Sequence, residues 1–501
     1  MNHYARVFAA SCRPRLLAPR NCATPRRSLL TLAIETSCDD TSVAVLEAFD
    51  GSNGRTGATL YFHKKVTSNN TEYHGVHPLA SLYSHQENLA KLVDEAILSL
   101  PPKNKDARSK SVWSKRLPDF VSVTRGPGMR SNLFTGLDTA KGLAAAWQVD
   151  LVGVHHMQAH ALTPRLVSAL QDAKTPHSDS GSPLRKVDVN PEFPFLSVLA
   201  SGGHTLLIHS SSLTEHRVLA STADIAVGEC LDKVARIVLP SDVLTSAKTT
   251  MYGPLLEKFA FPHASDLEPR EKPRIETPGS AQFLLEDNTA AEYQAMYATR
   301  YAYVVPKNQE EALRQNKTKW GWAFNQPLVR AGGGLKSRSF ELSFSGLLSA
   351  AERAFEFERD LVTGRLNKCS RTPDDVSLEE RKDMAREAMR AAFEHVADRV
   401  VLALQQTAFE NGPASNVPTV VMSGGVAANA FLRYILASTL VAHGFPHARV
   451  VFPPVSLCTD NAAMIAWAGI EMYAAGYSDP REIRALRKWP LDELLSPCQN
   501  G

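Results

Sequence analysis

Apolar and polar residues alternate in short blocks along most of the chain, and one arrangement of blocks occurs twice. Leu32-Ala33-Ile34 is apolar, Glu35-Thr36-Ser37-Cys38-Asp39-Asp40-Thr41 is polar, and Ser42 to Leu46 is apolar again. This predicts two strands around a turn that can present hydroxyl and N–H groups to an anion. The same order returns between Phe193 and His209: Phe195-Leu196-Ser197-Val198-Leu199 and Thr205-Leu206-Leu207-Ile208 flank Ser201-Gly202-Gly203-His204. Either unit alone reads as a plain hairpin, whereas the two together suggest duplicated lobes facing one cleft. Gly202 and Gly203 would allow a phosphate to approach the backbone closely.

The remaining pattern fills out an α/β chain. Pro78 to Leu100 predicts a helix, with Pro at its start and Leu82, Leu89, Val93 and Ile97 near helical spacing. Phe120-Val121-Ser122-Val123 reads as a strand, followed by Arg125-Gly126-Pro127-Gly128 and a helix through Trp147. Gln171 to Pro191 is polar and reads as a linker. Leu239 to Leu335 is poorly patterned, and we expect an insertion at about 262–335. Ser377 and Glu380 predict a capping box for a helix with the core stripe Met389, Phe393, Val396 and Val400. Thr419-Val420-Val421-Met422 then feeds Ser423-Gly424-Gly425-Val426-Ala427-Ala428-Asn429, a glycine turn and helix N-terminus suited to a phosphate or nucleoside. The expected division is a first lobe over 31–170, completed by a C-terminal helix at about 461–490, and a second lobe over 192–460.

Length and composition fit this division. A chain of 501 residues, 44% hydrophobic and 21% charged, suggests two or more lobes rather than one core. No apolar run is long enough to span a bilayer. The seven Cys show neither CxxC pairs nor disulfide-framework spacing, which points to a reducing compartment. Residues 1–30 carry Arg6, Arg13, Arg15, Arg20, Arg26 and Arg27 and no acidic residue. That composition predicts a mitochondrial transit peptide, with a merely basic tail as the alternative.

Taking those six Arg from the net charge of +3 leaves −3, so nucleic acid would have to be met by local patches. Lys103, Lys105, Arg108, Lys110, Lys115 and Arg116 form one candidate patch, and Arg481, Arg484, Arg487 and Lys488 form another. Either is equally readable as a solvated surface.

The sharpest chemical signal is His156-Met157-Gln158-Ala159-His160, after the apolar run Leu151 to Val154. If a strand gives way to a helix here, His156 and His160 share one helical face and can converge on a cation. His443 and His447 have the same spacing, but Gly444 and Pro446 between them spoil a helix. Asp460, at the start of the last apolar helix, reads on local sequence as its N-cap.

Taken in order, these segments resemble the TsaD-type tRNA threonylcarbamoyltransferases from Leu32 to about Gly476. The resemblance rests on Glu35 to Asp39, Gly126-Pro127-Gly128, His156 to His160, Ser201 to Thr205, Gly228-Glu229, Ser343-Phe344-Ser345-Gly346-Leu347, Ser423 to Asn429 and Thr459-Asp460-Asn461-Ala462. With the basic leader, the chain looks like the mitochondrial member.

The resemblance implies an actin-like (ASKHA) fold of two α/β lobes. It also implies a divalent cation, iron or zinc, one per subunit, on His156, His160 and Asp460; spacing alone could not have paired Asp460 with the histidines. It places threonylcarbamoyl-AMP against Leu199, Ala200, Ser201, Gly202, Gly203, Asp232, Gly253, Glu257 and Asn429. Asp39 or Asp40 would guide the proton leaving the amine of the target adenosine. The implied partners are mitochondrial tRNA, a YrdC-type synthase that supplies the adenylate, and a second copy of the chain.

This sequence departs from the family pattern at Asp40, where Glu is common, at Tyr252, Ile225 and Leu348. The rival readings are a metalloendopeptidase, a sugar or acetate-type kinase, and a non-catalytic nucleotide-binding scaffold. A thermolysin-like protease would want Glu after the first His, and Met157 stands there. A kinase would need a dedicated catalytic carboxylate, and the His pair argues for a different use.

Overall fold

The computed structural model describes residues 28–50, 55–73, 75–103, 114–172, 187–247, 251–262, 285–329, 339–360, 365–411 and 418–496. The basic leader up to residue 27, residues 104–113 of the basic stretch and most of the 171–191 linker lie outside them. Ser28, Leu29 and Leu30, expected in the leader, lie in the first strand.

Among the described residues, five strands come from the first part of the chain: β1 (Ser28–Glu35), β2 (Asp40–Asp50), β3 (Thr56–Thr67), β4 (Phe120–Gly126) and β5 (Asp150–His155). Nine follow: β6 (Phe195–Ala200), β7 (Thr205–Ser210), β8 (His216–Thr222), β9 (Glu286–Thr289), β10 (Glu341–Leu342), β11 (Phe357–Arg359), β12 (Leu366–Ser370), β13 (Thr419–Ser423) and β14 (Arg449–Phe452). The first sheet has the order β3-β2-β1-β4-β5, and the second contains β8-β7-β6-β13-β14. In each, three antiparallel strands are extended by two parallel ones. The repeated order is the duplication that the strand–turn–strand units foreshadow, and it is the actin-like arrangement.

Alternation along β1 explains the layering. Leu30, Leu32 and Ile34 face the helices Pro78–Leu98 and Arg130–Trp147. Leu29 and Ala33 face the opposite layer, made by helices His156–Asp172 and Ala462–Ala474. Successive strand residues point to opposite faces, so a strand covered on both sides is apolar throughout. Helix Ala462–Ala474 is buried around its whole circumference, which is why its sequence shows no polar stripe. It follows β14 of the second lobe yet packs in the first, so the chain crosses between lobes just before it.

Three expectations need revision. The C-terminal helix stops at Ala474 rather than near 490, and residues 475–496 form a strap with only a short turn at Leu491–Glu493. The segment at 285–329 is built into the second lobe rather than appended to it. There β9 pairs with β14, and Tyr293, Tyr297, Tyr301, Trp322 and Phe324 are in the lobe's core. Aromatics spread without period among charges hide such a segment from a pattern search. Finally, the capping box is half formed: Ser377 Oγ accepts from Glu380 N at 3.1 Å, but the Glu380 carboxylate is taken by Trp322 Nε1 and Arg371. The helix it starts, Leu378–Asn411, does bury Met389, Phe393, Val396 and Val400.

Candidate functional site

Four parallel or central strands deliver the site residues beyond their carboxyl ends, the usual place for ligands in open α/β sheets. β5 ends at His155 and the next helix begins at His156. His155 is structural: its Nδ1 accepts from Met157 N at 3.1 Å, and its Nε2 faces the Trp489 carbonyl at 2.9 Å. One turn apart, His156 and His160 turn their Nε2 atoms to the same oxygen, Asp460 Oδ1, at 3.4 and 3.0 Å. The decoy pair behaves otherwise, because His443 ends a helix and Gly444 then takes a positive φ of 88°.

Asp460 is not the N-cap that local sequence suggests. Asn461 caps helix Ala462–Ala474, its side chain accepting from Met464 N at 3.0 Å. That leaves the Asp460 carboxylate for the histidines. The potential ligand atoms of His156, His160 and Asp460 all lie within 4.8 Å of one another.

The electrostatics favour a cation. Burial opposes a charge on His156, but Asp460 and Glu35 outweigh it and push its pKa up to about 10. Burial alone would raise Asp460, and His156 and His160 instead hold it well below the carboxylate range. At His160 burial prevails and lowers the pKa, so this neutral imidazole, His156 and the Asp460 carboxylate together make a donor set that fits a divalent metal, with coordination positions left open. His160 Nδ1 is buried with no hydrogen-bond partner, so only its Nε2 is engaged.

Glu35 acts behind this set, a role the sequence motif did not assign. Fully buried at the end of β1, it accepts from Ser37 N at 2.6 Å and from Thr124 Oγ1, and lies 3.4 Å from His156 Nδ1. Ser37 Oγ is 3.3 Å from the same nitrogen. These contacts on Nδ1 orient the ring with Nε2 toward Asp460. An acidic residue closing an apolar strand was the available signal.

Asp39 and Asp40 lie in the same turn. Burial raises both above their ordinary values, and Asp40 adds to the effect at Asp39. Asp40 is held by Lys65 Nζ at 2.9 Å and by Thr67 Oγ1, and Lys65 also reaches Thr459 Oγ1 at 2.9 Å. Lys65, another residue that sequence reasoning missed, therefore ties Asp40 to the residue beside Asp460. Asp39 accepts from Asn70 Nδ2 at 3.3 Å.

Of the positions expected to meet a nucleotide, Leu199 and Ala200 are buried at the end of β6, and half-buried Ser201 with exposed Gly202 and Gly203 forms the turn. Ser201 Oγ accepts from Gly203 N and His204 N at 3.3 and 3.0 Å. A Cβ added at Gly202 or Gly203 would meet nothing within 4 Å, so the space beside the turn is open. Met157, next to His156, packs with Leu199 at the end of β6, which brings the turn close to the histidines. Gly424, at φ +91°, abuts it from β13: a Cβ there would lie 2.3 Å from the Ala200 carbonyl oxygen.

Asn429 caps helix Ala430–Ala442, accepting from Leu432 N at 3.0 Å. Asp232 Oδ1 accepts from Tyr252 N and Gly253 N, and Glu257 Oε1 from Ala430 N, Phe431 N and Tyr301 Oη. Those two carboxylates are therefore engaged by the backbone of the loops they brace.

The family model for tRNA N6-adenosine threonylcarbamoyltransferase matches residues 62–178, 184–272 and 276–467. It runs through most of the stretch expected as an insertion. A mitochondrial tRNA N6-adenosine threonylcarbamoyltransferase from Schizosaccharomyces pombe is 33% identical over 94% of this chain and 88% of its own length. An enzyme of the same name from Brucella suis is 30% identical over 93% of this chain and 96% of its own. Among solved structures, HypF from T. kodakarensis aligns over 89% of this chain and 48% of its own, at 15% identity and a TM-score of 0.36. With its matched segments and its duplicated sheets, this chain belongs to the TsaD family of tRNA N6-adenosine threonylcarbamoyltransferases.

Proposed function

We propose that this protein transfers the threonylcarbamoyl group of threonylcarbamoyl-AMP to the exocyclic amine of the adenosine 3′ of the anticodon, in mitochondrial tRNAs that read codons starting with A. The observation that carries the reading is the gathering of His156, His160 and Asp460 beside the open turn Ser201–Gly203 in a chain of this family. His156, His160 and Asp460 would hold one iron or zinc ion, which supplies a Lewis acid for phosphate or carbonyl charge.

The protein's own groups do the rest. The Ser201 to Gly203 turn receives the adenylate, and Asn429 with the loops braced by Asp232, Gly253 and Glu257 holds its nucleoside. The amine nitrogen bonds to the carbamoyl carbon, the bond from that carbon to the phosphate oxygen breaks, and AMP leaves. Asp39 takes the amine proton. Burial raises both carboxyls, but the Asp40 charge is matched by Lys65, which leaves Asp39 the better base.

The working form is a homodimer in the mitochondrial matrix, supplied with adenylate by a YrdC-type synthase. Exposed Tyr73, Val76, Leu79 and Tyr83 support a contact with a second copy. The mitochondrial relative and the six-Arg leader support the location. No helix among the described residues is long and apolar enough to cross a membrane.

The decisive experiment incubates the purified chain with a YrdC-type synthase, threonine, bicarbonate, ATP and mitochondrial tRNA, followed by nucleoside mass spectrometry. N6-threonylcarbamoyladenosine should form with the wild type and not with His156→Ala. No product from metal-replete wild type would overturn the reading. Residues 1–30 fused to a fluorescent protein should reach mitochondria, and diffuse cytosolic signal would refute the address.

A further inference from the structure

A cavity lies among the described residues away from His156, His160 and Asp460. It opens between helix Arg130–Trp147 and the C-terminal strap, has a volume of about 660 Å³, and has Arg125, Arg130, Lys141 and Arg484 in its wall against Asp138 and Glu482. Arg125 forms its floor. That side chain is buried, pairs with Asp479 at 3.4 Å and lies 5.3 Å from the Trp489 ring centroid, so its charge is largely committed to holding the strap. Lys141 is shared with Asp138 at 3.6 Å. Arg130 and Arg484 stand exposed at the rim, and exposed Arg487 and Lys488 continue the positive charge along the strap. Phe134, 45% exposed, offers an aromatic face at the same rim.

This strip is joined directly to the reaction centre. The Arg487 carbonyl accepts from Gly128 N at 3.3 Å, and the Arg125 carbonyl from Leu486 N at 2.8 Å. Gly128 packs on Ser37, where a Cβ would come within 2.9 Å of the Ser37 Cβ, and Ser37 Oγ touches His156 Nδ1. Gly126 is required here, since at φ +153° a Cβ would lie 2.0 Å from the Leu486 carbonyl oxygen. A polyanion lying along the strap therefore passes within two side-chain contacts of a metal ligand. A compact anion would use the cavity alone. A row of cations that runs on past it, with an exposed ring beside it, matches single-stranded nucleic acid, where phosphates meet cations and bases stack on aromatics.

Resting on the function proposed above, we infer that the groove between helix Arg130–Trp147 and the strap seats backbone phosphates of the tRNA anticodon loop next to the modified adenosine. The charge of −3 outside the leader makes such a local patch necessary, because the surface as a whole does not attract RNA.

The test uses the full chain with Arg130→Gln and Arg484→Gln combined, Arg314→Gln as a remote exposed control, and an anticodon stem-loop RNA as probe. The double variant should raise KM for tRNA several-fold with kcat at saturating tRNA retained. It should also flatten the log–log salt dependence of RNA binding by about 0.7–0.9 per lost phosphate contact. The converse pair, Asp138→Asn with Glu482→Gln, should lower KM for tRNA. The control should match the wild type, and adenylate-analogue affinity should stay unchanged throughout.

Unchanged KM and salt slope in the double variant, with wild-type transfer intact, would overturn the groove while leaving the proposed reaction standing. Loss of ADP or inorganic phosphate binding in the double variant, with RNA binding unaffected, would also overturn it and make the cavity a small-anion site. Absence of transfer in the wild type would instead strike at the reaction itself.

Discussion

Arg165→Met should be among the most damaging single substitutions away from the reacting groups. Arg165 meets Glu471 through two parallel hydrogen bonds, Nε to Oε1 at 2.8 Å and Nη2 to Oε2 at 2.9 Å. Its Nη1 donates to the Val189 and Pro191 carbonyls, and Trp467 Nε1 donates to Glu471 Oε1 at 2.6 Å. The two charged side chains are only 4% and 2% exposed. Removing the guanidinium strands a buried carboxylate, a loss of about 3–5 kcal/mol. For a lobe-sized cooperative unit this lowers the unfolding midpoint by roughly 6–20 °C.

Adding Glu471→Leu removes the stranded charge and should restore most of that loss. A remainder of about 1–3 kcal/mol stays because the Trp467 N–H and two carbonyls lose partners. The assay is thermal unfolding by circular dichroism, alongside metal content. The pair joins the helix of His156 and His160 to the helix that follows Asp460, so metal retention should fall in parallel with stability. A single variant within 1 kcal/mol of wild type, or a double variant no better than the single, would refute the reasoning.

Three further outcomes follow from the site. Gly424→Ala should cost about 1–3 kcal/mol for its positive φ and weaken binding of an adenylate analogue, because its Cβ pushes on Ala200; unchanged calorimetric affinity would count against this. Glu35→Gln should lower metal affinity by about 10–100-fold with the fold retained, and a metal-competition titration identical to wild type would remove Glu35 from that role. Burial disfavours the Asp224 carboxylate, but hydrogen bonds from Ser343, Ser345, Phe344 and Ile225 outweigh it and lower its pKa to about 2. Its support of the 343–345 loop is therefore present above the ordinary carboxylate value and lost as pH falls through about 2. The gap in thermal midpoint between wild type and Asp224→Asn should narrow only below about pH 4, and a gap constant down to pH 3 would contradict it.

What the sequence disclosed and what it hid have physical causes. Short continuous apolar runs exposed β1, β2, β6 and β7, because the burial of a strand covered on both faces is written in adjacent residues. His156 and His160 were legible for the same reason, their relation being one helical turn. Asp460 was not, since 300 residues separate it from His160 and local sequence favoured a cap; only the structure gives the cap to Asn461. The strap at 475–496 escaped because its hydrogen bonds go to Arg125, Gly128 and Gly153 of other elements, leaving no periodicity of its own. Lys65 was invisible for a related reason: its partners, Asp40 and Thr459, come from opposite ends of the chain.

The two halves of the site are built on opposite principles. His156 and His160 are buried, Asp460 is partly so, and their surroundings are fixed: His156 is gripped from behind by Glu35 and Ser37, and Asp460 sits where the chain crosses between lobes. Ala462 N donating to Ser42 Oγ at 3.0 Å and Lys65 bonded to Thr459 anchor that crossing to β2 and β3. The side of the glycine turns is open, with nothing near an added Cβ at Gly202, Gly203, Gly253 or Gly425. A reaction that must admit a bulky adenylate and an RNA loop, yet place one carbon beside one nitrogen, needs both. Room is required where the substrates enter, and a preset geometry where the bond changes. Variants that fill the open turns should therefore act mainly on substrate affinity, and variants behind His156 mainly on turnover.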